Sequence, residues 1–571
     1  MKKIINLFVV IFKIIDPRAK ILFLINIVFN FLSNLFQIIG LGSAIPFLSV
    51  ITNQNSIYEN KNINFIYTYF EFKDPDNFIF FLGFLFLILL ILGNILIGIS
   101  TFFQVYASQT VTKNLGFKLI NHYYTEDYTL LAENTSIQKR SNLSISDGLD
   151  NKFFFPIVEI IPKLLITIVF IFISVFFFFE ETAYMIALII FIFYVFNLLI
   201  KKKLSETGIQ LRKANYEIEK LIFESLQIIK IVILHKVSNF FLKDLKGIHN
   251  RQIKYNSYSH SLSQIPKIIL ETFLISFIII FSLILYENQS ETLFMTLSFL
   301  GIFGYKVFPS IGHIYSYYTL IKSNINSYDF LYEDINKVIK NKNIKAINQI
   351  SLLPLKKLEI NIDKFGFDEK NILFENQKIN FAINNLNIIK GETGCGKSTI
   401  INLLMGFIVT DKVKVVANEH QINKRYFTQL HNIISYVPQK FELIDNTIKN
   451  NITFGKEISD KQFNDLIKVC CLERFIEKLP ERENTIIGEN YDKISGGQAQ
   501  RICLARALFR NPKILILDEA TGQINFEIEK KIIENLSKLD MTIILISHKS
   551  VKFENFSKIN YININKGIIS H

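Results

Sequence analysis

Residues 391–399, with the sequence GETGCGKST, decide the fold of the second half of the chain. A β-like run, NLNII at 385–389, precedes this glycine-rich turn, and a helical run from Ile400 to Phe407 follows it. The spacing G-x-x-x-x-G-K-[ST] between a strand and a helix is typical of a phosphate-binding loop, because its glycines let backbone N–H groups surround phosphate oxygens. The stretch therefore predicts an α/β P-loop ATPase domain.

The side chains of this loop have distinct predicted tasks. Lys397 would neutralise the β- and γ-phosphates, and the Ser398 hydroxyl would coordinate Mg²⁺. The residues predicted to contact ATP here are Gly391, Thr393, Gly394, Cys395, Gly396, Lys397, Ser398 and Thr399. ATP and Mg²⁺ are accordingly the expected cofactors.

A second apolar strand ends in two carboxylates. Residues 514–519 read ILILDE, and in a shared parallel sheet the end of this strand would lie beside the P-loop. Asp518 would then hold Mg²⁺ and its water, and Glu519 would act as the general base or orient the attacking water. Since buried strands often end in an Asp that caps a helix, this pattern gains its meaning only in the company of the P-loop.

The first half of the chain is much more apolar than the second. Of 571 residues, 50% are hydrophobic and 20% are charged, which excludes a disordered chain and an ordinary soluble domain. Crossing a bilayer takes about 20 largely apolar residues. The runs long enough are 21–51, 77–108, 154–179, 183–200, 266–286 and 292–321. They predict an α-helical six-span transmembrane domain with both termini on one side.

Charge in the loops predicts the orientation of these spans. The loop 201–254 holds twelve Lys or Arg, whereas the connections at 52–76, 180–181 and 287–291 are mainly acidic. Basic loops stay in the cytoplasm, so both termini and the ATPase domain are expected there. This bias explains the net charge of +13 better than nucleic-acid binding does, and no nucleic-acid partner is expected.

Helical periodicity continues beyond the spans into both long cytoplasmic loops. Each loop has room for a short transverse helix, near Tyr124–Leu131 and Leu221–Leu234. The Asn- and Lys-rich stretch 323–356 is interpreted as a linker. The predicted domains are thus 1–322 for the membrane part and 357–571 for the ATPase part.

Two further patterns concern the cell compartment. Residues 1–19 form an amphipathic stretch without a small-residue cleavage site, so the first span is expected to be retained. The four cysteines lack zinc-ligand spacing and are interpreted as thiols in a reducing cytosol.

The stretch ISGGQ at 494–498 opens a helix about twenty residues before the ILILDE strand. With this motif the chain resembles ATP-binding-cassette (ABC) transporters. The resemblance implies that Ser495, Gly496, Gly497 and Gln498 bind the γ-phosphate of an ATP held by the opposite subunit. It also implies a water- and Mg²⁺-contacting Gln439 in the Q-loop, a catalytic switch histidine at His548, and Phe367 stacked on adenine.

One copy of each motif behind six spans resembles a half-size ABC exporter. Because the family binds nucleotide between two cassettes, a second copy of the chain is the expected partner, as a C₂ homodimer. The resemblance implies ATP-driven transport, with ATP hydrolysis resetting the machine. One departure is the family's Ser-Ala-Leu-Asp motif, which here is GQIN at 522–525 and puts the coupling between the two ATP sites in doubt.

Charges within the spans are the candidates for cargo binding. Glu159 and Lys163 are one helical turn apart and are expected to pair. Lys267, Lys306 and His313 would line a cavity with positive charge, which suits an amphiphile with a phosphate head group. Pairing of Lys267 with Glu271, snorkelling of Lys267 and a polar helix contact by His313 remain alternatives.

Two stretches of the membrane part, 44–48 and 299–321, are similar to bacterial flippases for lipid-linked oligosaccharides. The similarity implies a lipid or lipid-linked substrate and a place in the bacterial inner membrane. Two other interpretations stay open. The cargo could instead be a peptide, a lipid A precursor or a drug, or the protein could be a nucleotide-gated membrane switch with weak turnover.

Overall fold

The computed structural model describes the chain except for residues 1–5, 7–8, 11, 14, 53, 126–135, 178, 288–292, 326–327, 342–351, 369–370, 423–425, 489–493, 520–521, 523, 548–558, 566 and 571. The described residues form two compact units, one within Met1–Glu126 and Glu133–Ile344, the other within Lys345–His571. The first unit is helical. The second is built on β-sheets.

The long helices of the first unit coincide with the apolar runs. They are α1 (Pro17–Thr52), α4 (Pro75–Thr125), α6 (Phe155–Phe177, preceded by a π-helical turn at Asp150–Phe154), α7 (Phe179–Gln227), α9 (Ser238–Glu287) and α10 (Leu293–Asn324). Shorter helices are α2 (Ser56–Glu59), α3 (Lys61–Tyr69), α5 (Ser136–Asp147), α8 (Ile229–Leu234) and α11 (Tyr328–Asn341). A helix satisfies its own backbone hydrogen bonds, which a lipid environment requires.

Among the described residues, five helical segments are long and apolar enough to cross a membrane. They are Pro17–Gly40, Pro75–Tyr124, Asp150–Phe172, Thr182–Ile200 and Ser238–Ile284. The sixth predicted run lies in α10, where several side chains are outside the described residues, and the count of six remains a prediction. Large apolar side chains such as Phe84 and Phe102 are mostly exposed on these helices, as expected of surfaces that face lipid.

Polar side chains join α1 to α4 within the apolar region. The Asn26 amide donates to the carbonyl of Ser100 at 2.7 Å and to its hydroxyl at 3.0 Å. Gln37 donates to the Asn94 side chain at 3.3 Å. Polar contacts of this kind hold helices together where the hydrophobic effect between them is weak.

The helices extend well beyond the spans, as the sequence predicts. Helix α7 runs 27 residues past Ile200, to Gln227. Helix α8, a six-residue helix, lies within the predicted transverse segment Leu221–Leu234. The other predicted transverse segment, Tyr124–Leu131, lies almost entirely outside the described residues.

The stretch predicted as a linker differs from that expectation, because it contains helix α11. Tyr328, Leu331 and Ile335 are buried along one face of α11, in a cluster that includes Phe153. The spacing i, i+3, i+7 is a helical one, but the neighbouring Asn and Lys residues obscure it. Composition therefore underestimated the order of this segment.

The second unit contains the predicted α/β domain. Its strands are β1 (Leu358–Asp368), β2 (Asn371–Phe381), β3 (Leu386–Gly391), β4 (Val413–Ala417), β5 (His420–Ile422), β6 (Ile434–Val437), β7 (Asn446–Thr447), β8 (Ile486–Ile487), β9 (Ile514–Asp518), β10 (Thr542–Ile546), β11 (Ile559–Asn565) and β12 (Ile568–Ser570). Its helices are α12 (Lys397–Leu404), α13 (Phe427–His431), α14 (Ile448–Thr453), α15 (Asp460–Val469), α16 (Glu473–Glu477), α17 (Gly496–Phe509) and α18 (Phe526–Leu536).

Two sheets organise this domain. The larger has the order β12-β11-β3-β10-β9-β6, parallel from β11 to β6, and the smaller is the antiparallel sheet β2-β1-β4-β5. Strands β9 and β10 are buried at every position, which explains their continuous apolar sequences. β10 lies between β3 and β9, so the P-loop and the ILILDE strand end at the same edge but are not adjacent.

Candidate nucleotide-binding site

The glycine-rich loop connects β3 to α12 at the carboxyl edge of the parallel sheet. Gly396 has a φ of +102°, and a Cβ there would lie 2.5 Å from the Phe374 ring. A Cβ on Gly391 would lie 2.5 Å from the carbonyl oxygen of Ile564. Both positions therefore need glycine, one for its φ and packing and the other for close backbone approach.

Lys397 is buried at the start of α12, with 7% of its surface exposed. Its Nζ donates to the carbonyl oxygens of Gly391 at 2.9 Å and Glu392 at 2.8 Å. These acceptors belong to the loop itself, so the ammonium group is held inside the turn that the sequence predicts for phosphates.

The Asp518 carboxylate lies at the end of β9, close to the start of α12. It accepts a hydrogen bond from the Tyr436 hydroxyl at 3.1 Å, and the Ser398 hydroxyl lies close enough to lower its pKa. Burial raises the pKa of Asp518 above its usual range, and the charge of Glu519 adds to the rise. A poorly solvated carboxylate beside a hydroxyl is suited to bind a cation such as Mg²⁺, which relieves its desolvation.

Glu519 follows directly and adopts an unusual backbone conformation. Its φ of +49° is in the left-handed region, which is uncommon for a residue with a side chain, and its N–H donates to the carbonyl of Ile546 at 3.2 Å. The Gln439 amide donates to the Glu519 carboxylate at 2.6 Å. Strained conformations of this kind are often found at functional sites, and here the conformation directs the carboxylate towards the Q-loop glutamine.

The ISGGQ stretch forms the beginning of α17. Ser495 caps this helix, since its hydroxyl accepts from the Gln498 N–H at 3.3 Å while the Gln498 side chain accepts from the Ser495 N–H at 2.7 Å. This reciprocal capping box places Gly496 and Gly497 in the first turn. The Gln498 side chain, predicted to contact nucleotide, therefore has a structural role within the chain.

The remaining predicted residues stand apart or lie outside the described part of the chain. Phe367, near the end of β1, is 72% exposed and contacts Phe365 edge to face at 5.5 Å. His548 and Gln523 lie outside the described residues. Asn525 belongs to the GQIN stretch, which differs from the family's Ser-Ala-Leu-Asp motif. Its side chain accepts a hydrogen bond from the Glu527 N–H at 3.1 Å and caps the N-terminus of α18.

The side chains of Asn451 and Arg506 connect the segment after Gln439 to α17. The sequence did not predict this connection. Asn451 has no exposed surface and bonds to both the N–H and the carbonyl of Ile444 at 2.9 Å. Arg506 donates to the Asn451 carbonyl at 2.7 Å and to the Glu442 carbonyl at 2.8 Å. The sequence offers only an Asn in a short helix as a signal, which is indistinguishable from a surface residue.

Within the membrane unit, the predicted Glu159–Lys163 pair is confirmed at 3.6 Å. Lys267 lies 4.0 Å from Glu271, and its side chain packs on Gly312. The His313 ring stacks on Tyr317 at 6.1 Å. The Lys267–Glu271 pairing noted as an alternative is present as a contact. The Lys306 side chain lies outside the described residues.

A cavity of about 250 Å³ lies among α1, α4, α6 and α10. The polar side chains that line it are Asn30, Asn34, Gln37, Thr101, Glu159, Lys163, Ser310 and Tyr317. Its lining is largely uncharged, with Glu159 and Lys163 as its charged pair, and Lys267 and His313 are not among the residues that line it. Asn and Gln at i, i+4 and i+7 in an apolar span were the missed signal.

No cluster of three or more His, Cys, Asp or Glu suited to a metal ion occurs among the described side chains. Ser398 and Asp518 nevertheless fit Mg²⁺ bound together with a nucleotide, because a hydroxyl and a buried carboxylate already meet there. The glycine turn, in which Gly391 and Gly396 leave no room for a side chain, likewise fits a phosphate chain bound by backbone N–H groups.

Comparison with known proteins agrees with this geometry. Residues 374–522 match the family model described as ABC transporter. An export ATP-binding/permease protein of Rickettsia bellii (strain RML369-C) is 34% identical over 230 residues, which is 40% of this chain and 39% of that protein. An ATP-dependent lipid A-core flippase of Haemophilus influenzae (strain 86-028NP) is 35% identical over 210 residues, 34% of this chain and 36% of that protein.

The fold extends the likeness to the whole chain. A bacterial Atm1-family ABC exporter, solved with ATP bound, superposes with a TM-score of 0.77 over 96% of this chain and 94% of its own, at 17% identity. The sequence matches are shorter, since the chain spans only about two fifths of the length of the curated relatives it matches.

Proposed function

Since the chain carries an ABC transporter ATPase domain and has the fold of an ABC exporter, we propose that it hydrolyses ATP and uses the free energy to move a cargo across a membrane. The observation that carries this proposal is the convergence of Lys397, Ser398, Asp518, Glu519 and Gln439 at one edge of the parallel sheet. Each of these groups has a task in phosphoryl transfer to water.

The loop and its lysine would bind the phosphates. Lys397 would exchange its two carbonyl acceptors for phosphate oxygens. Ser398, Asp518 and Gln439 would hold Mg²⁺, which when bound neutralises the charge of the β- and γ-phosphates. Phe367, being exposed, is available to stack on adenine.

The chemical step would rest on Glu519. Its carboxylate would accept a proton from the attacking water, or orient that water, while Gln439 fixes its position. His548 is proposed as the switch residue from its place in the sequence.

Two copies of the chain are proposed to act together. The first turn of α17 presents backbone N–H groups of Gly496 and Gly497 at a helix N-terminus, where an anion is favoured. In a C₂ dimer the Ser495 turn of one chain would meet the γ-phosphate held by the other. Each site is then incomplete without the second chain.

The proposed cargo is an amphiphile with a phosphate-bearing head, such as a lipid or lipid-linked saccharide. Lys267 and His313 provide basic groups within the spans. One relative is an ATP-dependent lipid A-core flippase, which supports lipid as the cargo class. We propose the bacterial inner membrane as the location, with both termini and the ATPase domain in the cytoplasm.

The proposal is tested with purified protein in lipid vesicles, by measuring ATP hydrolysis and flipping of a fluorescent phosphate-bearing lipid together. The Glu519→Gln variant should bind ATP as the wild type does but hydrolyse it at least about a hundredfold more slowly. Flipping should stop with hydrolysis. A matched control is Glu527→Gln, which neutralises an exposed acid at the start of α18.

ATP binding that changes the conformation of the protein without measurable hydrolysis in the wild type would favour the nucleotide-gated switch. Hydrolysis without lipid flipping would retain the ATPase and redirect the search to peptide or drug cargo.

A further inference from the structure

A small polar cavity lies where the helices of the membrane unit leave the apolar spans. Its volume is about 100 Å³, and it is distinct from the larger cavity among α1, α4, α6 and α10. Lys152 is in the first turns of one candidate span, and Gly208 lies eight residues beyond Ile200, where another ends. Eight helical residues rise about 12 Å, so the cavity is near the level where lipid head groups meet water.

Five segments of the chain contribute to this cavity, which we call the interface cavity. Its polar lining consists of Ser141, Ser144, Lys152, Arg212, Asn215, Glu219, Asn324 and Tyr328. They come from α5, the π-helical turn, α7, the end of α10 and the start of α11. A ligand bound here would lie among all five segments.

The lining is rich in hydrogen-bond donors. Lys152 and Arg212 are cations, which offer donors only. The Asn215 side chain accepts through its oxygen from Gln252 at 2.8 Å, which leaves its two N–H groups as the part free to face a ligand. Such a set favours a ligand with several acceptor oxygens.

The Tyr328 hydroxyl is the clearest sign of a missing ligand. The residue is 3% exposed, and its ring packs edge to face on Phe153 at 5.5 Å. Within the described part of the chain, the hydroxyl is buried with no hydrogen-bond partner. Leaving a hydroxyl buried and unpaired is costly, so an acceptor within the cavity would remove that cost.

The lining contains one acidic group, Glu219, whose Oε2 is buried without a hydrogen-bond partner among the described residues. Burial raises the pKa of Glu219, although the charge of Arg140 and a hydrogen bond from Ser144 lower it. Asp150 adds a second carboxylate near Tyr328, and burial raises the pKa of this tyrosine, so its hydroxyl stays protonated as a donor. Asp150 is not part of the lining. The charged groups of the lining itself are two cations, Lys152 and Arg212, and one carboxyl, Glu219.

We propose that the interface cavity binds one phosphate group, belonging either to an anionic lipid head group or to free phosphate. The volume accommodates a few water molecules or a single phosphate, which excludes a nucleotide. Arg212 and Lys152 would supply charge-assisted hydrogen bonds, and Tyr328 a neutral one.

A bound phosphate would add contacts among elements that already pack against one another here. Helices α7 and α10 already approach so closely at Gly208 that a Cβ there would overlap the Ser323 carbonyl. Helix α5 reaches this crossing through Ser141 and Ser144 across the cavity. The phosphate would thus connect α5 and the start of α11 to the α7–α10 crossing.

Hydrogen–deuterium exchange of the full-length protein tests this proposal, with ADP and Mg²⁺ present throughout so that the P-loop is occupied. One arm adds inorganic phosphate to protein in neutral detergent, against chloride at equal ionic strength. The other compares nanodiscs of phosphatidylcholine with and without phosphatidylglycerol. Protection of α5 and of residues 208–219 is expected in at least one arm, and the responding arm identifies the source of the phosphate.

Three variants locate the effect. Arg212→Gln should raise the phosphate or lipid level for half-protection about tenfold or more, because it removes a charge-assisted contact. Lys213→Gln, which removes an exposed charge from the next position of α7, should leave it unchanged. Tyr328→Phe keeps the ring packing and should weaken binding severalfold while leaving the ligand-free Tm equal or higher, since it removes an unpaired hydroxyl.

Absence of protection by either probe in the wild type would overturn the proposal and leave a water-filled cavity only. Equal half-protection levels in Arg212→Gln and Lys213→Gln would do the same. If Arg212→Gln does not fold, the Tyr328→Phe comparison decides. The measurement needs no transport or ATP hydrolysis, so its outcome is independent of the proposed function.

Discussion

At the scale of single residues, the candidate site places charges where solvent cannot stabilise them. Asp518 is 7% exposed, with Glu519 beside it in sequence, and burial raises its pKa. Lys397 is equally buried and satisfies its charge with two carbonyl oxygens. Such a site is tuned for ligands of complementary charge, at some cost to the stability of the empty domain.

Replacing Asp518 with Asn should stabilise the nucleotide-free protein at neutral pH. A pKa raised above its unfolded value means that the folded state binds the proton more tightly, so stability is lost as pH rises through the folded pKa. An Asn is neutral at every pH and avoids that loss. The Tm difference between Asp518→Asn and wild type should therefore be small near pH 4 and increase towards about pH 8.

Thermal unfolding in chelator, repeated with Mg²⁺ and ATP, measures this difference. The ligands should reverse the order, because only the wild type has the carboxylate for Mg²⁺. If the Asp518→Asn variant is less stable than the wild type in chelator at neutral pH, burial of the charged Asp518 carboxylate does not destabilise the nucleotide-free protein, and the prediction is wrong.

The Lys397→Ala variant should lose tight nucleotide binding or turnover. Two charge-assisted contacts of about 1.5–3 kcal/mol each correspond to a loss of well over a hundredfold. Isothermal titration with ATP and a steady-state ATPase assay check this, with Lys412→Ala, an exposed lysine, as the control. Turnover that survives Lys397→Ala would remove the P-loop assignment.

At the scale of elements, α11 shows how a short helix is held by tertiary contacts. Asp334 accepts from the Tyr123 hydroxyl at 2.7 Å and from the Asn142 amide at 2.9 Å. These bonds connect α11 to α4 and α5, and Leu331 and Ile335 are buried on the same side of the helix as Asp334. The segment is thus part of the membrane unit.

Asp334→Ala should destabilise the membrane unit by about 1–3 kcal/mol, because Tyr123 and Asn142 are buried and would each lose a partner. Thermal unfolding in detergent, monitored in parallel with Glu333→Ala as the control, gives the comparison. Glu333 is the exposed neighbour on the same helix. Equal Tm values for the two variants would show that α11 contributes nothing through Asp334.

At the scale of the whole molecule, cargo binding and ATP hydrolysis are expected in different units. Replacing Lys267 and Lys306 with Gln should lower flipping of a phosphate-bearing lipid by well over tenfold, and basal ATPase much less. Both residues are in the membrane unit and would affect hydrolysis only through coupling between the units.

Reconstituted vesicles allow both rates to be measured on the same preparation. Lys202→Gln with Lys213→Gln removes the same charge from exposed positions of α7 and serves as the control. Unchanged flipping in the Lys267 and Lys306 variant would exclude recognition of an anionic head group at these positions and favour a neutral or peptide cargo.

The sequence by itself determined the local features of this protein. The helices over the apolar runs follow from the need to satisfy backbone groups in lipid, and that need depends only on run length and composition. The strand–turn–helix at 385–407 follows from a glycine pattern that is typical of one backbone conformation, in which a side chain at Gly391 or Gly396 would clash. The Glu159–Lys163 pair needs only helical spacing.

The tertiary structure decided the features that depend on segments distant in sequence. β10 lies between β3 and β9 although it follows both in the chain, and strand order cannot be read from each strand alone. The Asn451–Arg506 contacts and the lining of the interface cavity join residues far apart in the chain. The physical reason is that a polar residue has the same local pattern whether it faces solvent or a buried partner, and only packing distinguishes the two.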